Sequence, residues 1–164
     1  MDSIDKFNKL SKAEFISIFG NIFEKTEWVA EKCYESKPYN NLDELVSKMM
    51  KIFENIEKER HLEILNSHPD LAVEKKLTED SKNEQKNASL NQCTDEEFVE
   101  FKKLNEEYKK KFGFPFIVAV KGKNKEEILN SFRQRITNNI NLEFEEAKKQ
   151  VKKIATFRLD EIIK

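Results

Sequence analysis

Glycine and proline, the residues that most often interrupt regular backbone, occur only three times each in 164 residues, so the chain has few places to turn sharply or stop. Between those points apolar residues recur at spacings of three and four, the period of a helix with one buried face. The expectation is an all-α fold, a single compact multi-helix domain over residues 1–164. That length buries a core without metal or disulfide support.

Helix starts are marked by a short polar residue followed three positions later by Glu. Ser11 and Glu14 precede Phe15, Ile18, Phe19, Ile22 and Phe23 on one face, and Trp28, Val29 and Cys33 continue the pattern. Asn41 and Glu44 open a helix bearing Leu45, Val46, Met49, Met50 and Phe53. Another helix runs from about Glu57 to Asn66 and stops at Ser67-His68-Pro69, because the residue before proline is pushed out of helical geometry. Ser81 with Glu84 has the same spacing, as does Thr94 with Glu97 ahead of Phe98, Phe101, Leu104, Tyr108 and Phe112, with Gly113 placed to stop that helix. Asn124 with Glu127 starts a helix carrying Ile128, Leu129, Phe132 and Ile136. The last helix aligns Phe144, Ala147, Val151, Ile154, Ala155 and Arg158. One segment departs from the period: Phe114-Pro115-Phe116-Ile117-Val118-Ala119-Val120 is apolar and proline-led, so residues 114–120 are expected to be extended and buried.

Charge excludes more than it selects. The 30 Lys and Arg nearly balance the 31 Asp and Glu, leaving no field that favours nucleic acid or an anionic membrane. Cys33 and Cys93 have neither metal-ligand nor disulfide spacing, which suits a reducing compartment. No apolar signal segment or membrane span is apparent, and Ile162-Ile163-Lys164 is not a peroxisomal tripeptide, so a cytoplasmic protein is expected.

Each candidate for chemistry has a plain structural reading beside the functional one. His68, at a helix end, either caps the last carbonyls or transfers protons near neutral pH. His61, inside a helix, reads as structural. Ser81 and Glu84 read first as a cap. Arg158 lies on the apolar stripe, where a guanidinium needs either a structural carboxylate or an anionic ligand. The 114–120 strip is either a hydrophobic plug or a row of backbone amides for a planar, urea-like ligand. A metal hydrolase is disfavoured, since His61 and His68 are seven apart across a helix end and no HExxH spacing exists. A non-catalytic helical interaction module is the competing class.

Phe23-Glu24, Trp28-Val29-Ala30-Glu31, Ser67-His68-Pro69-Asp70-Leu71-Ala72, Ser81-Lys82-Asn83-Glu84-Gln85, Leu104-Asn105 with Tyr108, Lys111 through Val120, and Arg158-Leu159 together resemble the decarboxylases of 2-oxo-4-hydroxy-4-carboxy-5-ureidoimidazoline (OHCU). The HPDLA and KFGFPFIVAV runs are the specific signals. The resemblance implies an all-α fold, no metal or organic cofactor, and decarboxylation of OHCU to (S)-allantoin in urate breakdown. It implies catalytic roles for His68, Glu84 and Arg158. Substrate contacts would come from Pro69, from Ser81, Lys82, Asn83, Glu84 and Gln85, and from the backbone of Phe116, Ile117, Val118, Ala119 and Val120. The small-molecule substrate is the expected partner, with a homodimer allowed. The sequence departs from the family pattern in two places: Ser89 stands where a glycine is usual, and the stretch from Val73 to Asp80 is short.

Overall fold

Ser11 begins the second helix by accepting a hydrogen bond from the Glu14 N–H while the Glu14 carboxylate accepts from the Ser11 N–H. Such reciprocal caps satisfy donors that a helix start leaves without intrahelical partners. Thr94 with Glu97 and Asn124 with Glu127 repeat the arrangement, as the spacing predicts, and Asn41 caps Glu44. In the computed structural model, which describes residues 3–72, 78–88 and 90–163, these signals lie within a succession of helices. They are α1 (Ser3–Asn8), α2 (Lys12–Phe19), α3 (Glu27–Glu35), α4 (Leu42–Glu54), α5 (Lys58–Asn66), α6 (Glu79–Asn87), α7 (Asp95–Phe112), α8 (Lys125–Arg135) and α9 (Ile140–Ile163), with a 3-10 turn at Leu90–Gln92. The chain is all-α, with no strand among the described residues. Ser89 and most of the short stretch, residues 73–77, lie outside the described residues, as does Lys164.

Two compact units are formed, one from residues up to Ser67 together with those from Lys152 onward, the other from His68 to Val151. In the first, α2 packs on α3 and α3 on α4. Its core is aromatic: Phe15 and Phe19 meet at 4.6 Å, Phe23 stacks on Phe53 at 4.8 Å, and His61 stands edge-on to Phe53 at 4.9 Å. His61 also hydrogen-bonds the Phe53 carbonyl through Nε2 at 2.7 Å, which bears out its structural reading. Trp28 lies under two cations, with Arg60 4.7 Å and Lys32 5.7 Å from its ring centre. In the second unit Tyr108 is the hub, in contact with Phe112, Phe114, Phe116 and Phe132. Each such ring withdrawn from water stabilises by roughly 1.5–3 kcal/mol.

Four expectations are corrected. The α2 stripe ends at Phe19, so Ile22 and Phe23 reach the core from the following turn rather than from the helix. A Cβ at Gly20 would sit 2.4 Å from the Ile16 carbonyl, which explains a glycine at that stop. Phe98 is 39% exposed, because the buried face of α7 begins at Phe101. Ile136 caps α8 rather than belonging to it. Finally, α6 is capped by Thr78, whose side chain accepts from the Ser81 N–H, and Ser81 is an internal, buried residue. Ser81 and Glu84 therefore are not a capping box. Gly113 does end α7, at a φ of +81° that favours glycine.

Candidate active site

Ser67 and Asn66 supply donors at the end of helix α5. Ser67 donates through its N–H to the carbonyls of Glu63 and Ile64 and through its hydroxyl to Glu63, while Asn66 Nδ2 donates to Leu62. The last-turn carbonyls of Leu62, Glu63 and Ile64 thus already have donors. His68 follows as a buried residue at 9% exposure, and Pro69 after it fixes its own backbone φ.

The residues after Pro69 form a turn whose polar groups are held by side chains. Gln85 of α6 uses both ends of its amide: Nε2 donates to the Asp70 carbonyl at 3.2 Å and Oε1 accepts from the Ala72 N–H at 3.1 Å. Asn105 of α7 donates through Nδ2 to the Leu71 carbonyl at 3.0 Å. Lys109, one helical turn on, reaches the Asp70 carboxylate at 2.7 Å. Ala72 adopts a φ of +54°, a left-handed conformation that L-residues rarely hold without support.

The Gln85 bridge ties α6 to the histidine-bearing turn, and with α6 comes Glu84. Ser81 and Gln85, four apart, lie on the buried face of α6; Glu84 is half-buried, and Lys82 and Asn83 face outward. The expected group on α6 is thus divided, with Ser81, Glu84 and Gln85 inward and the side chains of Lys82 and Asn83 elsewhere.

The strip from Phe114 to Val120 is extended and buried, as its composition predicts. Side chains hold two of its backbone groups, and the Val120 carbonyl accepts from the Lys123 N–H at 3.0 Å. The Ile117 carbonyl accepts from Arg135 Nη1 at 2.6 Å, and the Ala119 N–H donates to Gln150 Oε1 at 3.0 Å. Arg135 is itself held by Glu143, which is fully buried and also accepts from Tyr108 and Asn138. The Arg135 guanidinium lies 4.4 Å from the centre of Phe116, and Phe116 stacks on Phe132 at 3.9 Å. Burial, then the hydrogen bond to Glu143, push the Tyr108 hydroxyl well above its ordinary pKa, so it remains a donor. With the Ala119 N–H and the carbonyls of Ile117 and Val120 engaged, the other backbone groups of the strip are the ones that could face a ligand.

Arg158 is buried, as its place on the stripe predicts. Its Nη1 donates to the Asn21 carbonyl at 2.7 Å and lies 3.6 Å from the Glu24 carboxylate, which is fully buried. This anchoring fixes the plane and position of the guanidinium.

Several anchors were not assigned roles from sequence: Glu24, Asn105, Gln150 and the Arg135–Glu143 pair. For Asn105, Arg135, Glu143 and Gln150 the available signal was a polar residue on an otherwise apolar helical face, the same signal that singled out Arg158; Glu24, in the turn between α2 and α3, carried no such signal. Among the described residues no three His, Cys, Asp or Glu side chains are grouped to hold a metal ion. None of the described helices is long and apolar enough to cross a membrane.

Fold and side chains together define a class: an all-helical protein in which a buried histidine follows a helix exit and its turn is hydrogen-bonded to an acid-bearing helix. Within that class, the chain belongs to the OHCU decarboxylase family, whose family model matches residues 8–160. A uric acid degradation bifunctional protein of Bacillus sp. (strain TB-90) is 41% identical over all of this chain, which spans 33% of that relative's length. The OHCU decarboxylase of Haloferax volcanii is 36% identical over 97% of this chain and 95% of its own. The crystal structure of an (S)-allantoin synthase superposes with a TM-score of 0.80 at 29% identity, covering 100% of this chain and 54% of that one. An OHCU decarboxylase crystallised in the presence of (S)-allantoin gives a TM-score of 0.74 over 87% of this chain and 95% of its own; at 24% identity that likeness is one of fold.

Proposed function

We infer that this chain catalyses the cofactor-independent decarboxylation of OHCU to (S)-allantoin in urate degradation, working as one domain over residues 1–164. The observation that carries the reading is the Gln85 bridge, which joins the α6 helix bearing Glu84 to the turn that follows His68 and Pro69.

The substrate supplies its own electron sink. Its carboxylate is on C4, next to C5 of a ring C=N bond. As the C4–CO2 bond breaks, its electron pair forms a C4=C5 bond, the C=N pair passes to the ring nitrogen, which takes up a proton, and CO2 departs. A proton delivered to C5, the ureido-bearing carbon, then creates the stereocentre while the C4 hydroxyl becomes a carbonyl. His68 handles that proton. Glu84 orients His68 or accepts from the ureido N–H groups, and Arg158, braced by Glu24 and Asn21, holds an anionic or carbonyl oxygen. Pro69, Ser81, Glu84 and Gln85 on the inward side of α6, and backbone groups from Phe116 to Val120 contact the substrate. The carboxylate is thereby set out of the ring plane and protonation confined to one face. Spontaneous decay gives racemic allantoin, so stereochemistry distinguishes enzyme from background.

The same reading includes a cytoplasmic location, supported by two free thiols. It also includes a homodimer, for which exposed Phe98, Val99, Ile140 and Leu142 offer apolar surface. Light scattering measures the latter directly.

The deciding experiment generates OHCU in situ from urate and follows allantoin by circular dichroism. Rapid (S)-allantoin formation, abolished by His68→Ala and His68→Asn, is expected. Arg158→Lys should also lose activity, because an ammonium cannot replace a planar fork. Full activity in the His68 variants, or only racemic product from the folded wild type, would overturn the reading.

A further inference from the structure

The turn after Pro69 is held more firmly than its length requires. Asp70, Leu71 and Ala72 are three consecutive residues, each at most 7% exposed. Two carbonyls, one N–H and one carboxylate in this turn are bound by just three side chains, Gln85, Asn105 and Lys109. Asn105 and Lys109 are four apart on α7 and so share one helical face. Gln85 and Asn105 are themselves buried, so these hydrogen bonds form where water does not compete, and losing one leaves a buried polar group without compensation.

Ala72 adds an independent sign. Its left-handed backbone, at φ +54°, costs about 1 kcal/mol or more for a residue with a Cβ and persists only where the surroundings over-determine it. Here its N–H is bound by Gln85. Upstream, Pro69 allows little rotation about its own φ, so fixing Asp70 constrains the backbone that carries the imidazole of His68.

We propose that Gln85, Asn105 and Lys109 are positioning residues that clamp the turn from Asp70 to Ala72 and, through Pro69, hold His68 in the orientation from which it delivers its proton. This rests on the role given to His68 above. Gln85 thus holds the turn with one bond from each end of its amide, and the second N–H and second lone pair of that amide are the ones it can offer the substrate.

Asn105→Asp is the most direct test. It preserves shape but replaces the Nδ2 donor with an oxygen facing the Leu71 carbonyl. Misplacing a catalytic group by about 1 Å costs up to about 100-fold, so kcat should fall about 10- to 100-fold with KM within about twofold, and the enantiomeric purity of the allantoin should drop. Lys109→Met removes only the Asp70 contact at a partly exposed side chain, giving a folded protein with a smaller loss of the same kind, restored by Lys109→Arg. The chain has two histidines, so imidazole NMR supplies a readout apart from turnover: the titration of His68 should shift in both variants while that of His61 stays fixed. Wild-type kcat, enantiomeric purity and His68 titration in folded Asn105→Asp and Lys109→Met would overturn the clamp while leaving His68 catalysis intact. Activity surviving in His68→Asn would instead overturn the reading on which the clamp depends.

Discussion

Replacing Glu143 by Gln should be among the most destabilising single changes outside the site. The carboxylate is fully buried, accepts from Arg135 at 3.0 Å through Oε2, and also takes bonds from Tyr108 and Asn138. The amide keeps the volume and one acceptor oxygen but removes the charge, leaving the Arg135 cation buried among neutral partners: that amide oxygen, the Ile117 carbonyl and the face of Phe116. Removing one member of a buried pair costs about 3–5 kcal/mol, a large part of the 5–15 kcal/mol typical of a whole domain. With a urea dependence of about 2 kcal/mol per molar, the unfolding midpoint should fall by about 1.5–2.5 M, read by far-UV circular dichroism. The double replacement Glu143→Leu with Arg135→Met should recover part of the loss, because removing both charges leaves neither stranded, although the Tyr108 hydroxyl and the Ile117 carbonyl lose their partners. A single-variant shift below about 0.3 M, on the order of 0.6 kcal/mol, or a double variant worse than Glu143→Gln, would refute the claim that the pair is held by charge rather than by shape.

Two further outcomes follow from the ionisation of individual groups. Burial pushes the Cys33 thiol up to about 11, so at pH 8 its thiolate fraction is about one in a thousand; iodoacetamide should label the half-buried Cys93 first and Cys33 only after unfolding, as read by peptide mass. The hydrogen bond from Lys125, then that from the Thr94 backbone, hold Glu97 below its ordinary 4.5. Its stabilising contribution is therefore present above the unfolded-state value and lost as pH falls through the lower folded one. Glu97→Gln should melt below wild type at pH 7, and the gap should narrow as pH falls below 4.5; a gap independent of pH would contradict the assignment.

The helices were legible because their information is local. Ser11, Asn41, Thr94 and Asn124 cap helices as their spacing predicts, since a cap involves only residues three apart. The same spacing misleads at Ser81, where Thr78 caps instead and Ser81 turns inward; a three-residue interval does not encode which way a side chain faces. The buried strip was readable from its proline and branched residues, but not its support, because the Ala119 N–H meets Gln150 from 31 positions away. Arg158 was recognisable as a buried cation, while its anchor Asn21 lies 137 residues earlier. His68 could be located by the proline after it, but the hold of Gln85 and Asn105 on the following turn depends on tertiary placement that periodicity does not carry.

Trp28, beneath Arg60 and Lys32, is the chain's only tryptophan and belongs to the unit that ends at Ser67. Its emission is therefore a local reporter, whereas far-UV dichroism sums over every helix. In the Glu143→Gln protein the two signals should separate, with ellipticity lost before the indole spectrum moves, if the units from His68 to Val151 and around Trp28 unfold independently. Superimposed curves would mean that the chain melts as one cooperative body. A single fluorophore placed by the fold thus turns an ordinary denaturation experiment into a measurement of how far stability is shared along the chain.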